Sequence, residues 1–207
     1  MRVGIVGVLV VVLAGIAAPC AAQNEAPATV TAMAPEATVA LERAREAAAG
    51  LGRDLLARLS AELAAGGPVS ATRVCSEVAP ALAAAHSRDG LTVYRVSARP
   101  RNPAGRPDPW EAAELEQLAA GLRAGEMPAE VSAVVTTESG PVLRYLKPLR
   151  IVTPCLRCHG DPATFSPELT AVLAERYPAD EGVGYREGDL RGAISVTVPL
   201  TAVASAP

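Results

Sequence analysis

Residues 130–152, EVSAVVTTESGPVLRYLKPLRIV, decide the fold that this sequence predicts. Glu130–Thr137 is rich in valine, Glu138–Gly140 has the composition of a turn, and Val142–Val152 is a second extended run. Extended runs on either side of a short turn that contains glycine are typical of an antiparallel hairpin. The hairpin would deliver the chain directly to Pro154 and the segment that follows it.

Two further segments have the pattern of strands. Leu91–Ser97 contains Val93, Tyr94 and Val96, and the last predicted strand alternates apolar residues at 194, 196, 198 and 200 with smaller or polar residues at 193, 195 and 197. This alternation is the period of a half-buried strand. Four strands together with several helices predict an α+β fold.

The N-terminal part of the domain predicts a long amphipathic helix from Glu36 to Ala64. Apolar residues recur there every three or four positions, which is the period of a helix face: Leu41, Ala44, Ala48, Leu51, Leu55, Leu59 and Leu63. Gly66-Gly67-Pro68 is expected to end this helix, and a second helix is predicted from about Ser70 to Ala85.

Two later helices are predicted from their first residues. Asp108-Pro109-Trp110-Glu111 combines an N-cap, a proline at the first helical position and the acid that completes a capping box, for a helix to Leu122. This pattern favours a capping role for Glu111 over that of a catalytic carboxylate. Ser166-Pro167-Glu168 begins another helix, which ends near Tyr177.

Cys155-Leu156-Arg157-Cys158-His159 is a C-x-x-C-H motif, which is typical of c-type haem attachment. Two thiols at this spacing can each join one vinyl group of a porphyrin, and the imidazole can be an axial ligand of the iron. A dithiol redox site would require a βαβ context, and a zinc site would require further ligands although His86 is the only other histidine. We therefore expect one haem c, bound covalently through Cys155 and Cys158 with His159 as ligand.

The N-terminus has the order of residues of a secretory signal. Arg2 precedes an uncharged run, Val3–Ala18, and small residues follow up to Ala22. We predict a signal peptide at residues 1–22, a linker at 23–35, a single domain at 36–207 and a periplasmic protein. Two alternatives remain: the N-terminus is an uncleaved membrane anchor, or Cys20 is a lipidated first residue.

Composition narrows the classes of function. Without residues 1–22, which hold one arginine and no acid, 18 basic and 22 acidic residues give a net charge of −4, which argues against a nucleic-acid partner. Aromatic residues make up 3% of the chain, so the core is expected to consist of small aliphatic side chains and a haem would fill space that aromatics usually occupy. The sequence contains no recognisable catalytic set, so we expect no enzyme activity and no substrate.

The second axial position has several candidates. Cys75 is the cysteine left over, and from the residues alone it is a plain buried cysteine, a cysteine paired between two chains, or an iron ligand. Cys75 shares a predicted helix face with His86, but eleven residues of helix separate them by roughly 16 Å, so one iron cannot bind both. Met33 and Met127 lie in a linker and a loop, which disfavours histidine/methionine ligation.

Four blocks together resemble the small single-haem c-type cytochromes that have a PAS-like domain, a family mostly catalogued as a domain of unknown function. The blocks are Val74-Cys75-Ser76 with Ala79-Pro80, Arg101-Asn102-Pro103 with Trp110-Glu111, Cys155–Gly160, and Gly188–Ser195. The resemblance spans roughly Leu41–Leu200. It implies a PAS-like antiparallel sheet with flanking helices, and iron bound by His159 and the thiolate of Cys75.

A cysteinate ligand would stabilise ferric iron and give a low reduction potential. We therefore expect an exported electron-transfer cytochrome that works with a separate, unknown redox partner. The alternative is a periplasmic redox or diatomic-gas sensor domain that acts through a separate partner, because loss of the thiolate would open a binding position. The candidates for contact with the haem propionates are Arg99, Arg101, Asn102 and Arg144.

Overall fold

The sheet at the centre of the protein has four antiparallel strands in the order β1-β4-β3-β2. They are β1 (Thr92–Val96), β2 (Val131–Thr137), β3 (Gly140–Arg150) and β4 (Leu190–Pro199). This computed structural model describes residues 33–200 except the side chain of Cys75. The predicted signal peptide and residues 23–32 of the predicted linker lie outside the described residues.

The predicted hairpin is confirmed. β2 and β3 pair from Val131 opposite Leu146 to Thr137 opposite Gly140, and β3 then pairs with β4. β4 is therefore a central strand, and its residues 193, 194, 196 and 198 are buried. Because β4 is buried on both faces, helices can pack against it from both sides of the sheet.

Five α-helices occur among the described residues: α1 (Pro35–Arg73), α2 (Ala79–His86), α3 (Pro109–Ala124), α4 (Leu156–His159) and α5 (Pro167–Arg176). The predicted α+β fold with a long N-terminal helix is confirmed. Within residues 33–200, no helix combines the length and the apolar character needed to cross a membrane.

The predicted end of the first helical segment at Gly66-Gly67-Pro68 is confirmed, although a second helical segment follows at once within the range of α1. Gly67 has φ +67° and ψ −160° inside α1, a conformation that glycine adopts without a steric penalty, and helical backbone resumes through Pro68 to Arg73. The predicted continuous helix from Ser70 to Ala85 is wrong in its middle. Val74–Val78 is a π-helical turn between α1 and α2, so the regular α-helical spacing does not continue through Cys75.

The two faces of the sheet bury different helices. On one face the alanine side of α1 packs against the sheet through residues that include Ala44, Ala48 and Leu51, together with Leu143 and Val196. On the other face α3 contributes Leu115 and Leu118, which pack with Val96, Leu146 and Ala193. The small alanine side chains let α1 approach the sheet closely, as the composition predicts.

The predicted capping box begins α3. The Asp108 side chain accepts a hydrogen bond from Glu111 N at 2.9 Å, and Glu111 Oε2 accepts one from Asp108 N at 3.0 Å. Glu111 is also buried, and its Oε1 accepts hydrogen bonds from Tyr94 Oη at 2.8 Å and Ser195 Oγ at 2.6 Å. The sequence pattern predicted the cap but not the attachment of the same carboxylate to the sheet.

Candidate functional site

A cavity of about 500 Å³ lies between the second half of α1, the π-helical turn and α2, the end of β1 and the C-x-x-C-H motif. Its size is in the range of small-molecule and cofactor sites. Much of its wall consists of aliphatic side chains: Leu51, Leu55, Leu56, Leu59, Leu63, Val74, Leu149, Ile151 and Ile194. Apolar side chains that enclose so much space favour a large, mainly apolar ligand.

The motif enters this cavity from the end of the hairpin. After β3, a 3₁₀ turn at Thr153–Cys155 leads into α4, and Cys155, Cys158 and His159 all line the cavity. Gly160 ends α4, and a Cβ atom at that position would lie 2.6 Å from the carbonyl oxygen of Leu156. A glycine after the histidine is therefore required for the chain to leave the helix at this point.

The His159 ring is held by a backbone carbonyl. Its Nδ1 lies 2.5 Å from the carbonyl oxygen of Gly182, and because a carbonyl can only accept, Nδ1 carries the proton. Nε2 is then the nitrogen with a lone pair, as a metal ligand requires. Burial lowers the pKa of His159 well below its usual value, and the positive charges of Arg101 and Arg191 lower it further, so the ring is neutral.

A segment far along the chain holds the motif in place. Tyr185 N donates to the carbonyl of His159 at 2.9 Å, and Gly184 N donates to the carbonyl of Gly160 at 2.7 Å. The Tyr185 ring also stands edge-on to the His159 ring, with 6.4 Å between the centroids. We call residues 180–185 the clamp segment; nothing in their sequence singled them out.

Arg101 joins the clamp segment to the motif. Its Nε lies 2.8 Å from Asp180 Oδ2, and one terminal nitrogen donates to the carbonyl of Cys158 at 2.5 Å and lies 3.5 Å from that of Gly182. The Arg101 side chain is only 4% exposed. An arginine this buried needs such partners, because an unpaired charge in the interior is costly.

Of the four candidates for propionate contact, two line the cavity and two bond to other parts of the protein. Arg101 and Asn102 line the cavity, whereas Arg99 donates to the carbonyls of Glu181 and Val183. Arg144 lies elsewhere: it forms ion pairs with Asp108 at 2.7 Å and Glu111 at 3.1 Å and stacks on Trp110. Its assignment to the cofactor was therefore wrong, because two acids at the start of α3 attract the guanidinium.

Arg191 lines the cavity and was not among the candidates. Leu149 pairs with Gly192 and Arg150 with Leu190, so Arg191 is the extra residue of a β-bulge in β4. A bulge re-aims a side chain that regular alternation would assign to one face of the sheet. In the sequence, the bulge is marked by the next residue, Gly192, because its φ of +146° is a conformation that favours glycine.

Cys75 and His86, the two candidates that share a predicted helix face, lie in different surroundings in the structure. The backbone of Cys75 belongs to the π-helical turn. Val74, the first residue of that turn, and Ala79, the residue after it, line the cavity, but the side chain of Cys75 lies outside the described residues. Its role as a ligand stays a prediction. His86 Nε2 lies 2.8 Å from Asp54 Oδ2, and the ring packs on Gly50 of α1. His86 thus ties α2 to α1.

The donor set fits a haem. Two cysteines, a neutral histidine with Nε2 available and aliphatic walls meet at one cavity, and Arg101 and Arg191 lie at the same cavity as positive charges. In the part of the chain that the structure describes, no group of three or more His, Cys, Asp or Glu side chains is placed to hold a metal ion directly.

Comparison with known proteins gives one family and one solved structure. The model of the Tll0287-like family matches residues 21–199, a range that includes all four blocks of the predicted resemblance. The chain is similar to a structure described as "Crystal structure of the cyanobacterial heme-protein Tll0287", with 27% sequence identity, a TM-score of 0.49, and coverage of 63% of this chain and 71% of that chain. No curated protein matches the sequence.

Proposed function

This chain belongs to the Tll0287-like family, and we propose that it is a haem protein whose cofactor lies in the cavity beside the C-x-x-C-H motif. The single observation that carries the proposal is that Cys155, Cys158 and His159 line one apolar cavity of about 500 Å³. The family takes its name from Tll0287, a cyanobacterial heme-protein, which supports the same cofactor here.

In this proposal the cofactor is one haem c. Cys155 and Cys158 would form thioether bonds to its vinyl groups, and His159 would hold the iron through Nε2, while the carbonyl of Gly182 fixes the other ring nitrogen. The haem iron supplies reversible one-electron chemistry. The protein's own contribution is to orient the imidazole, exclude water with the leucines of α1 and neutralise the propionates, for which Arg191 is now the added candidate.

We further propose Cys75 as the second axial ligand and electron transfer as the role. The support for Cys75 is the family resemblance and the position of its backbone between two residues that line the cavity. Two protein ligands would leave no open position for a substrate, so the proposal is a non-enzymatic, low-potential carrier with a separate redox partner. We also propose that residues 1–22 direct export to the periplasm, because covalent attachment of haem c takes place in exported proteins.

Covalent attachment is tested by expressing the full chain in a bacterium that matures c-type cytochromes. After denaturing electrophoresis, peroxidase staining should show haem on the wild-type chain and on Cys75→Ala, but not on Cys155→Ala/Cys158→Ala. A colourless wild-type protein would end the proposal, and haem retained by the double variant would mean a different linkage. Fractionation of the same cells tests the periplasmic location.

The second ligand is tested by electron paramagnetic resonance of the oxidised protein. Cys75→Ala should lose the low-spin thiolate signal and give a high-spin or water-ligated spectrum, because the alanine methyl group has no sulfur to bind the iron. His86→Ala is the matched control from the same helical region, and its spectrum should equal that of the wild type, since His86 bonds to Asp54. An unchanged spectrum in Cys75→Ala would remove the cysteinate from the proposal.

A sensor role is the second candidate, and the π-helical turn at Val74–Val78 favours it. Such turns are rare and concentrate at functional sites. Carbon monoxide added to the reduced protein discriminates the two roles. Rapid binding favours the sensor, and a six-coordinate spectrum that does not change with carbon monoxide favours the carrier.

A further inference from the structure

We propose that Arg101 is a positioning residue of the haem centre, and that its positive charge raises the reduction potential of the iron bound to His159. This inference rests on the proposed function. It assigns to Arg101 a role through the polypeptide, in addition to any contact with the cofactor itself. Its basis is the set of bonds that the buried guanidinium makes to the motif and to the clamp segment.

The Arg101 guanidinium bonds to the backbone on both sides of the imidazole. On the motif side it donates to the carbonyl of Cys158, the residue before His159, at 2.5 Å. On the clamp side it lies 3.5 Å from the carbonyl of Gly182, the same oxygen that accepts from His159 Nδ1. The guanidinium therefore fixes both the peptide that carries the ring and the acceptor that orients it.

The shared carbonyl connects Arg101 to the electronic character of the ligand. A strong hydrogen bond from Nδ1 makes an imidazole a better electron donor and stabilises ferric iron. A cation beside the accepting oxygen withdraws electron density from it and so limits this effect. The charge of Arg101 acts in the same direction, since a buried positive charge favours the form of the iron with one more electron.

Asp180 gives the inference an internal test. Its Oδ2 holds Arg101 Nε at 2.8 Å, and its Oδ1 accepts from Gly182 N at 2.7 Å, so it supports the same geometry with the opposite charge. If the two residues only hold the clamp segment in place, removing either one loosens His159 in the same way. If charge sets the potential, Arg101→Met and Asp180→Asn shift it in opposite directions.

A matched control pair lies in the same two segments of chain. Arg106 and Glu181 form an ion pair of 2.6 Å, but their side chains are 62% and 44% exposed. Solvent screens such a pair, and exposed pairs contribute little. Arg106→Met and Glu181→Gln therefore remove the same charges at nearly the same places in the sequence with little effect on the iron.

The experiment is a spectroelectrochemical titration of the holoprotein at one pH and one salt concentration. Arg101→Met should make reduction about tenfold less favourable, which is about 59 mV for a one-electron couple, and Asp180→Asn should make it more favourable. Arg101→Lys keeps the charge but loses the planar fork, so its potential should stay closer to the wild type while its ferric resonance signals broaden. The two control variants should each shift the potential far less.

The outcomes separate this inference from the proposed function. A wild-type protein without haem overturns both. Wild-type protein with haem, but with shifts of the same sign in Arg101→Met and Asp180→Asn, overturns the electrostatic role alone. If Arg101→Met does not accumulate, Asp180→Asn and Arg101→Lys decide the matter, and the inference is wrong if the potential of Asp180→Asn equals or falls below that of the wild type.

Discussion

Among the carboxylates of the described residues, removal of Glu111 should lower the free energy of unfolding most. Its side chain is 1% exposed, and it accepts hydrogen bonds from Tyr94, Ser195 and the backbone of Asp108 while it pairs with Arg144 at 3.1 Å. Because the carboxylate joins α3 to three strands of the sheet, its loss affects the cap, the sheet and a buried cation at once.

The expected cost follows from these contacts. Loss of one half of the capping box contributes about 1 kcal/mol. Leaving the hydroxyls of Tyr94 and Ser195 without their acceptor contributes about 3 kcal/mol between them, because each buried polar group left unpaired costs roughly 1–3 kcal/mol, while Arg144 keeps its ion pair with Asp108. Glu111→Ala should therefore lower the free energy of unfolding by about 4 kcal/mol. Asp108→Ala, which removes a 41% exposed acid from the same helix start, should cost about 1 kcal/mol.

The assay is urea unfolding at neutral pH, followed by far-ultraviolet circular dichroism and fluorescence of the single tryptophan, Trp110. Coincident transitions would justify a two-state free energy for each variant. Glu111→Gln keeps acceptors for Tyr94 and Ser195 and should fall between the other two variants. A cost of Glu111→Ala no larger than that of Asp108→Ala would refute the reasoning, since the carboxylate would then be a cap and nothing more.

Three further predictions concern single side chains. Gly192→Ala should cost several kcal/mol in urea unfolding, because a Cβ there meets a carbonyl of β1; Gly140→Ala shares the positive φ but has open space and should cost about 1–3 kcal/mol. Burial, with the Glu111 carboxylate adding to it, raises the pKa of Tyr94 from 10.0 to about 12, so stability should fall as pH rises through that window and fall less steeply in Tyr94→Phe. His86→Ala should lower the free energy of unfolding by no more than about 1 kcal/mol, because its acidic partner is half exposed; a larger loss would mean that the contact between α1 and α2 depends on it.

The parts of the fold that the sequence predicted depend on local signals. The alternation at residues 193–200 identifies a strand because successive side chains point to opposite faces of a sheet, and the turn at Glu138–Gly140 fixes the partner of β2. The capping box at Asp108 and Glu111 sets the start of α3 for the same kind of reason. Each signal involves residues that are close in sequence, so local backbone geometry alone determines the structure that they form.

The parts that could not be predicted depend on contacts between distant residues. Arg101 meets Asp180 and Gly182 across about eighty positions, and no periodic pattern marks either end. Arg191 reaches the cavity only through a bulge, which breaks the alternation that a strand prediction assumes. Arg144 was misassigned for the opposite reason: its arginine chemistry suits an anion, but the anions that bind it are side chains of the protein itself.

The apolar stripe of α1 was predicted as one helix face, and the structure divides it between two partners. Its first half, with Ala44, Ala48 and Leu51, is buried against the sheet. Its second half lines the cavity, and there Leu55, Leu59 and Leu63 are only partly buried, while Leu56 beside them remains 62% exposed. A chain with 3% aromatic residues has few large side chains to cover those leucines. A bound macrocycle would cover them, so α1 packs in the core at one end and lines the proposed cofactor cavity at the other.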